Sequence, residues 1–315
     1  MSPVHRFVLV DAVVVDVVLR VDALPQRGSD VAVDESSSLA GGGFNVMAAA
    51  SRLGLPAVYG GILGFGPFAT IAQNALHDEG IVVALPPATG LDTGFVVALV
   101  EPDGERTFVT GNGAESTLTT SQLDDLHITQ SDVVYFSGYV LLHESNAVAL
   151  VDMLARLPSQ TLFVFDPGPL VGDIADSHLD AVLKRVDWFT CNEREAEVLT
   201  GREPRAAAQE ILSRLARGSV VVRCGPRGCV LALRDGEARD VPGFEIVALD
   251  ANGAGDCHVG AFAAFLVGGC DPFEAARWAN GAAALSVTRR GPATGPTMSE
   301  LEMFMSQHVE GVGAS

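Results

Sequence analysis

Two hydrophobic periods run along the chain. From Val133 onward, short apolar runs alternate with stretches of helical composition: Val133-Val134-Tyr135-Phe136, Leu162-Phe163-Val164-Phe165, Trp188-Phe189-Thr190-Cys191 and Val220-Val221-Val222. One helix is predicted from His143 to Arg156, and another opens at Asn192-Glu193-Arg194-Glu195. Unbroken apolar strands between helices belong in a parallel sheet covered on both faces, with ligands at the carboxyl ends of its strands. Asp166, Asn192, Glu195, Gly225 and Asp250 all follow such strands and are expected on one rim. Val220 to Arg223 and Val230 to Leu233 flank the turn Gly225-Pro226-Arg227-Gly228. Helices over Pro272 to Val287 and Ser299 to His308 close the chain, with a loose tail expected over 310–315.

The first half has a different rhythm. Phe7 to Val21 is rich in Val and broken by Asp11 and Asp16, and Val31 to Ser38 alternates as a half-exposed strand would. Thr93 to Leu99 and Arg106 to Thr110 pair around the turn-rich Glu101-Pro102-Asp103-Gly104-Glu105. Together these strands predict a small antiparallel sheet apart from the main layers, suited to act as a lid. Leu39-Ala40-Gly41-Gly42-Gly43-Phe44-Asn45 leads into a helix over Val46 to Gly54, and its glycines permit close approach of a ligand or of another backbone. A buried strand is expected from Ala57 to Leu63. The following Gly64-Phe65-Gly66-Pro67-Phe68-Ala69 carries the weak form of a dinucleotide fingerprint before a helix reaching His77. The ribose-binding acid expected about 20 residues later falls on Ala84-Leu85-Pro86, which counts against a dinucleotide site there.

Composition narrows the partners. A net charge of −19 argues against nucleic acid and anionic membrane surfaces. With Asp11 and Asp16 interrupting it, the apolar stretch after Arg6 reads as strand, and neither as a signal peptide nor as a membrane span. Five cysteines in a long chain suit buried thiols in a reducing, cytoplasmic setting, and Cys224 and Cys229 lack the spacing of a zinc site. Lys184 is the single lysine. A Walker A loop and a protein-kinase strand lysine are therefore both absent, and any phosphate chemistry must rely on backbone amides, Arg and a metal ion.

Chemistry concentrates in Asp250-Ala251-Asn252-Gly253-Ala254-Gly255-Asp256, which runs into the apolar Val259 to Leu266. This reads as a turn opening onto a helix N-terminus, with free N–H groups and the positive end of the helix dipole. Glycines 253 and 255 let an anion approach, and Asp256 stands beside it. A carboxylate beside a phosphate repels it, yet it makes sense as the base for a hydroxyl attacking that phosphate. A Gly-rich turn whose Asp256 merely favours a helix start is the alternative on this stretch alone.

Several motifs in order extend the pattern over nearly the whole chain, which resembles the ribokinase-like, PfkB-type carbohydrate kinases. Gly41-Gly42-Gly43-Phe44-Asn45 is similar to the family's N-terminal Gly-Gly signature, Asn192 and Glu195 to its NxxE pair, and Gly225 with Gly228 to its nucleotide loop. Asp250 to Asp256 resembles DTxGAGD, and Asn280 with Val287-Thr288-Arg289-Arg290-Gly291 the adenine-side segment. The resemblance implies a single three-layer α/β/α sandwich over 1–315, with a mainly parallel central sheet and a small antiparallel β lid at about 13–38 and 92–114. It further implies ATP-dependent transfer of the γ-phosphoryl group to a small sugar or polyol. Asp256 would be the base, and the Gly253, Ala254 and Gly255 amides would hold the developing charge.

By the same resemblance, Asp16, Gly42, Asn45 and Asp250 would bind the sugar, while Asn192, Glu195, Gly225, Gly228 and Asn280 would serve the nucleotide. Glu195 would reach Mg²⁺ through water, and backbone oxygens at Asp250, Asn252, Ser286 and Gly291 would suit a K⁺-type ion. Homodimerisation through the lid is a further expectation. Departures from the family pattern are Ala251 for Thr or Ser, Gly64-Phe65-Gly66 without the common Gly-x-Asp, Val14 for a frequent Asn, and Arg223 for the usual Thr. They touch substrate identity and nucleotide preference, so a nucleoside kinase of the same fold is the alternative. A dehydrogenase or a noncatalytic sugar-binding module is more distant.

Overall fold

In the computed structural model, which describes residues 5–308, the predicted alternation becomes a nine-stranded sheet with a second, four-stranded sheet beside it. The strands are β1 (Phe7–Leu9), β2 (Val13–Arg20), β3 (Glu35–Gly42), β4 (Ala57–Tyr59), β5 (Val82–Val83), β6 (Phe95–Val100), β7 (Arg106–Gly111), β8 (Val133–Ser137), β9 (Leu162–Asp166), β10 (Trp188–Asn192), β11 (Ser219–Arg223), β12 (Gly228–Ala232) and β13 (Arg239–Pro242). The helices are α1 (Gly43–Arg52), α2 (Pro67–Asp78), α3 (Thr120–Asp124), α4 (Glu144–Arg156), α5 (Asp176–Arg185), α6 (Glu193–Thr200), α7 (Pro204–Arg214), α8 (Ala254–Val267), α9 (Pro272–Ser286) and α10 (Met298–Gln307). The expected tail at 310–315 lies outside the described residues.

The large sheet runs β13-β12-β11-β10-β9-β8-β1-β4-β5, parallel except at its β11-β12-β13 end. Strands β8 and β9 are buried almost throughout, as their unbroken apolar runs require. Two cores result. Phe136, Phe163, Phe165 and Phe189 fill one face with α4, α5 and α7, and Phe7, Tyr59, Trp188 and Phe262 fill the other with α1, α8 and α9.

The small sheet has the order β3-β2-β6-β7. Its outer pairs are antiparallel as expected, but the central pair β2-β6 is parallel, because the whole α1-to-β5 segment intervenes between β3 and β6. Strand β3 also lies later than the alternation at 31–38 suggested, running on to Gly42. The reason is tertiary: Val13 to Arg20 pairs with Gly42 back to Glu35, and the Asp16 carboxylate lies so close over Gly41 that a Cβ there would collide with it. Similarly, α1 starts at Gly43 instead of Val46, and β4 ends at Tyr59, where the Gly60 amide turns to Leu9 O at 2.8 Å.

The weak dinucleotide string is occupied by the protein itself. Asp92 accepts the Phe68 and Ala69 amides at 3.1 and 2.9 Å, so a side-chain carboxylate already fills the N-terminus of α2.

Candidate active site

The carboxyl rim of the large sheet and one face of the small sheet enclose a cleft of about 1280 Å³. Asp16, Gly42, Asn45, Asn192, Glu195, Asp250, Asn252, Gly253, Gly255, Asp256 and Gly291 all line it, so fold brings together motifs more than 200 residues apart, as the Asn45–Asp256 pair does at a separation of 211.

Asp256 stands in the first turn of α8. Gly253 caps this helix at φ 73°, and a Cβ there would run into Pro292 O, so both conformation and space demand glycine. The Gly253, Gly255 and Asp256 amides make no hydrogen bond among the described residues, whereas the Ala254 amide turns back to Ala251 O at 3.3 Å. The unpaired donors thus sit on either side of Ala254, and α8 offers its N-terminus to an anion. Asn45 Nδ2 donates to Asp256 Oδ2 at 2.9 Å. Burial pushes the Asp256 carboxyl up to about 7; the Asn45 bond and the Arg223 charge oppose this, while Asp166 and Asp11 add to it. Such a carboxyl is poised to take a proton near neutrality. Among the described residues Asn45 Oδ1 is buried without a partner, an acceptor left open beside the Asp256 carboxyl.

On the small-sheet side of the cleft, Asp16 makes no side-chain hydrogen bond among the described residues, and burial lifts it to about 6. Asp250 is constrained instead. Burial alone would raise its pKa, but the Asn252 and Gly291 amides at 3.0 and 3.2 Å and Arg106 at 3.2 Å bring it below the usual range. Arg106 comes from β7, so this ion pair joins the small sheet to the loop before α8.

Around the rim, Asn192 caps α6 through a reciprocal box with Glu195: Glu195 N donates to Asn192 Oδ1 at 2.9 Å, and Asn192 N to Glu195 Oε2 at 2.7 Å. Burial, then the nearby Asp166, raises the Glu195 pKa, with Arg223 opposing. This is the signature of negative charge only partly neutralised. Among the described residues no group of three or more His, Cys, Asp or Glu side chains could cage a metal. Two adjacent carboxylates with unused lone pairs suit a cation held through water and phosphate oxygens.

Gly291 N donates to Asp250 Oδ2 at 3.2 Å, whereas Ser286 does not line the cleft and its neighbour Val287 is the residue that meets the 250 loop. Leu249 and Asp250 amides bond Val287 O at 2.7 and 3.1 Å, and Thr294 Oγ1 donates to Ser286 O at 2.9 Å. Gly225, Gly228 and Asn280 do not line this cleft. The glycines shape the β11-β12 turn at φ 56° and 94°. Asn280 is buried behind it, its Nδ2 donating to Val241 O and Pro242 O at 3.0 and 3.1 Å and its Oδ1 meeting His258 Nε2 at 3.1 Å.

Sequence reasoning did not single out Asp11, which lies two residues past the end of β1. Its Oδ2 accepts the Ser137 amide at 2.6 Å, it lines the cleft, and burial lifts it to about 6 despite that bond. The available signal was a lone acid just after a buried first strand. The Arg223 network was equally hidden, since its partners Thr190, Asp166 and Glu195 come from separate elements.

Comparison with known proteins identifies the family and the fold. The pattern of the pfkB family carbohydrate kinases matches residues 4–298. An uncharacterised sugar kinase of Escherichia coli (strain K12), YegV, is 33% identical over 298 residues, covering 93% of this chain and 92% of that one. Ribokinase from Thermotoga maritima superposes with a TM-score of 0.83 at 25% identity, covering 96% of this chain and 99% of that one. Arabidopsis thaliana ribokinase, solved with ribose and ATP, shares the fold with a TM-score of 0.81 at 22% identity, covering 97% and 99%. Among the described residues no helix is long and apolar enough to cross a membrane.

Proposed function

Because the chain belongs to the pfkB family of carbohydrate kinases, phosphotransferases with a hydroxyl acceptor, we propose that it transfers the γ-phosphoryl group of ATP to a hydroxyl of a neutral small sugar or polyol, with Asp256 as general base. The observation that carries this is the carboxyl of Asp256, lifted to about 7 by burial and set at an α8 N-terminus whose neighbouring amides are unpaired. In the step, the acceptor oxygen forms a bond to the γ-phosphorus, the bond to the β–γ bridging oxygen breaks to release ADP, and the acceptor proton passes to Asp256. The Gly253, Gly255 and Asp256 amides meet charge developing on the phosphoryl oxygens; Ala254 shapes the turn between them. Asn45 holds the base in place through Nδ2 and offers Oδ1 to a sugar hydroxyl.

Acceptor charge follows from the pairing of the lid cations. Arg20 is tied to Glu35 at 3.1 Å and Arg106 to Asp250 at 3.2 Å, while Asp16 and Asp250 face the cleft. A phosphorylated acceptor would meet carboxylates and spent guanidinium groups, whereas neutral hydroxyls donate well to carboxylates. Gly42, where a Cβ would collide with Ala12 O, keeps the backbone close to the sugar.

Glu195, with Asp166 and with Asn192 as its brace, would hold Mg²⁺ through water, and the ion would neutralise phosphate charge when bound. Gly225 and Gly228 would shape the nucleotide side and Asn280 would fix its wall. Backbone oxygens at Asp250, Asn252, Ser286 and Gly291 would form the site of a K⁺-type ion. The small sheet, about 13–38 and 92–114, would act as a lid, and its edges β3 and β7 would pair a second copy.

A coupled ADP-release screen over neutral sugars, polyols, phosphosugars and nucleosides tests the reading. Turnover with a neutral sugar or polyol is expected. Turnover restricted to nucleosides or phosphosugars would overturn the acceptor assignment, and none with any acceptor would overturn the kinase reading.

A further inference from the structure

The half-buried guanidinium of Arg223 has no part in the chemistry above, yet it lines the same cleft. Arg223 ends β11 opposite Asn192 in the parallel β10–β11 register, so it reaches the same rim. One side of the group is anchored. Nη1 donates to Thr190 Oγ1 at 2.6 Å, and Nη2 lies 2.8 Å from Asp166 Oδ2 and 3.7 Å from Glu195 Oε2. The other side faces α8: Nε, Nη2 and Cζ lie 3.5, 3.7 and 3.8 Å from the point where a Cβ on Gly255 would stand. Nε makes no hydrogen bond among the described residues, although the guanidinium carries a donor there. Burial opposes the charge of the group, but Asp166 and Glu195 outweigh it, so Arg223 is a permanent cation.

The other cations on the cleft are committed or exposed. Arg20 and Arg106 pair with Glu35 and Asp250, Arg290 is exposed, and the single lysine sits on α5. A guanidinium serving only to bridge carboxylates would spend its donors on them; this one keeps Nε without an acceptor among the described residues, 3.5 Å from the Cβ position of Gly255 in the turn with the unpaired amides. We infer that Arg223 is a catalytic residue whose Nε–H contacts oxygens of the transferring γ-phosphoryl group beside the Gly255 and Asp256 amides. A pre-set donor held by Asp166 and Thr190 pays no reorganisation cost as charge develops. The inference rests on the ATP-dependent reading above.

Two substitutions and a nucleotide comparison test it. Binding of ADP and of a non-hydrolysable ATP analogue, each with Mg²⁺, is measured by calorimetry on the wild type, Arg223→Ala and Arg223→Lys. Loss of a charge-assisted contact to the γ-phosphate should weaken the analogue at least about tenfold in Arg223→Ala while changing ADP little. Turnover should fall on the order of 10²–10³-fold, the usual effect of removing one pre-organised donor, and free guanidinium should restore part of it. The acid limb of the pH profile should also move to higher pH. Among the described residues Arg223 is the cation facing Asp256, the other titratable groups there being Asp11, Asp166, Tyr135, Tyr139 and Cys257. Equal weakening of both nucleotides, or wild-type turnover in Arg223→Lys, would overturn the inference. Should Arg223→Ala fail to fold, Arg223→Lys decides by the same comparison, since it keeps a charge beside Asp166. If the wild type phosphorylates nothing, the kinase reading fails, and the analogue-against-ADP comparison still decides whether Arg223 reads the terminal phosphate.

Discussion

The floor and the roof of the cleft are built on opposite principles. The floor is the carboxyl rim of strands buried on both faces, and its polar groups are braced from several elements: Asp256 by Asn45, Glu195 by Asn192, Asp166 by Arg223. The roof is a sheet of four strands with Leu39, Phe108 and Val109 exposed at 44%, 59% and 56%. Its Asp16 faces the cleft without a side-chain hydrogen bond among the described residues, and the Arg106–Asp250 pair joins the roof to the loop before α8. On the proposed function, the reaction chemistry would rest on the braced floor and recognition of the acceptor on the less braced roof.

The largest effect that would break this division is on the floor. Asp256→Asn keeps the shape but cannot accept a proton, so kcat should fall about 10²–10⁴-fold while ATP binding stays nearly intact. Retention of more than roughly a tenth of kcat would remove Asp256 from its role. The same variant carries a stability signature. The folded pKa of Asp256 lies above its unfolded value, so the folded protein holds a proton that the unfolded chain gives up, and stability drains as pH rises from about 4 towards about 7. Asp256→Asn should thus match the wild-type melting temperature near pH 4 and exceed it by a margin that grows up to about pH 7.

Next in size is the roof. Asp16→Ala should raise KM for the sugar about 10- to 100-fold, the loss of one or two charge-assisted hydrogen bonds, and leave KM for ATP near its wild-type value. An unchanged sugar KM would show that the acceptor is read elsewhere. Smallest, and most diagnostic of the contrast, is amide exchange. Sugar should slow exchange several-fold in 13–42 and 95–111 while leaving β8 and β9 unchanged, by restricting local opening. No slowing there, with binding confirmed separately, would mean the roof is no lid.

These two regions also differ in how far the sequence betrays them. The floor strands were legible because a strand buried on both faces needs an unbroken apolar run, and the turn at 250–256 because only glycine suits a left-handed cap against Pro292. Roof boundaries were less so: Ser36 to Gly42 has little strand propensity and is strand because Val13 to Arg20 pairs with it. In the site, the residues carried by motifs, from Asn45 through Asn192 and Glu195 to Asp256, do meet in one cleft. Gly225 and Gly228 form the β11-β12 turn away from the cleft and Asn280 lies behind it, and the spent amide of Ala254 depends on a local bend. Asp11, and the bridge from Arg223 to Asp166, arise from contacts between distant segments, which no local pattern encodes.

The most direct test of the central claim is the pH dependence of kcat/KM for the wild-type enzyme with its best acceptor. If the buried carboxyl of Asp256 is the base, activity should climb about tenfold per pH unit on the acid side and level off near pH 7, where burial has placed its pKa. A profile already flat at pH 5 would contradict the account, since the base would then be an ordinary exposed carboxylate or no base at all.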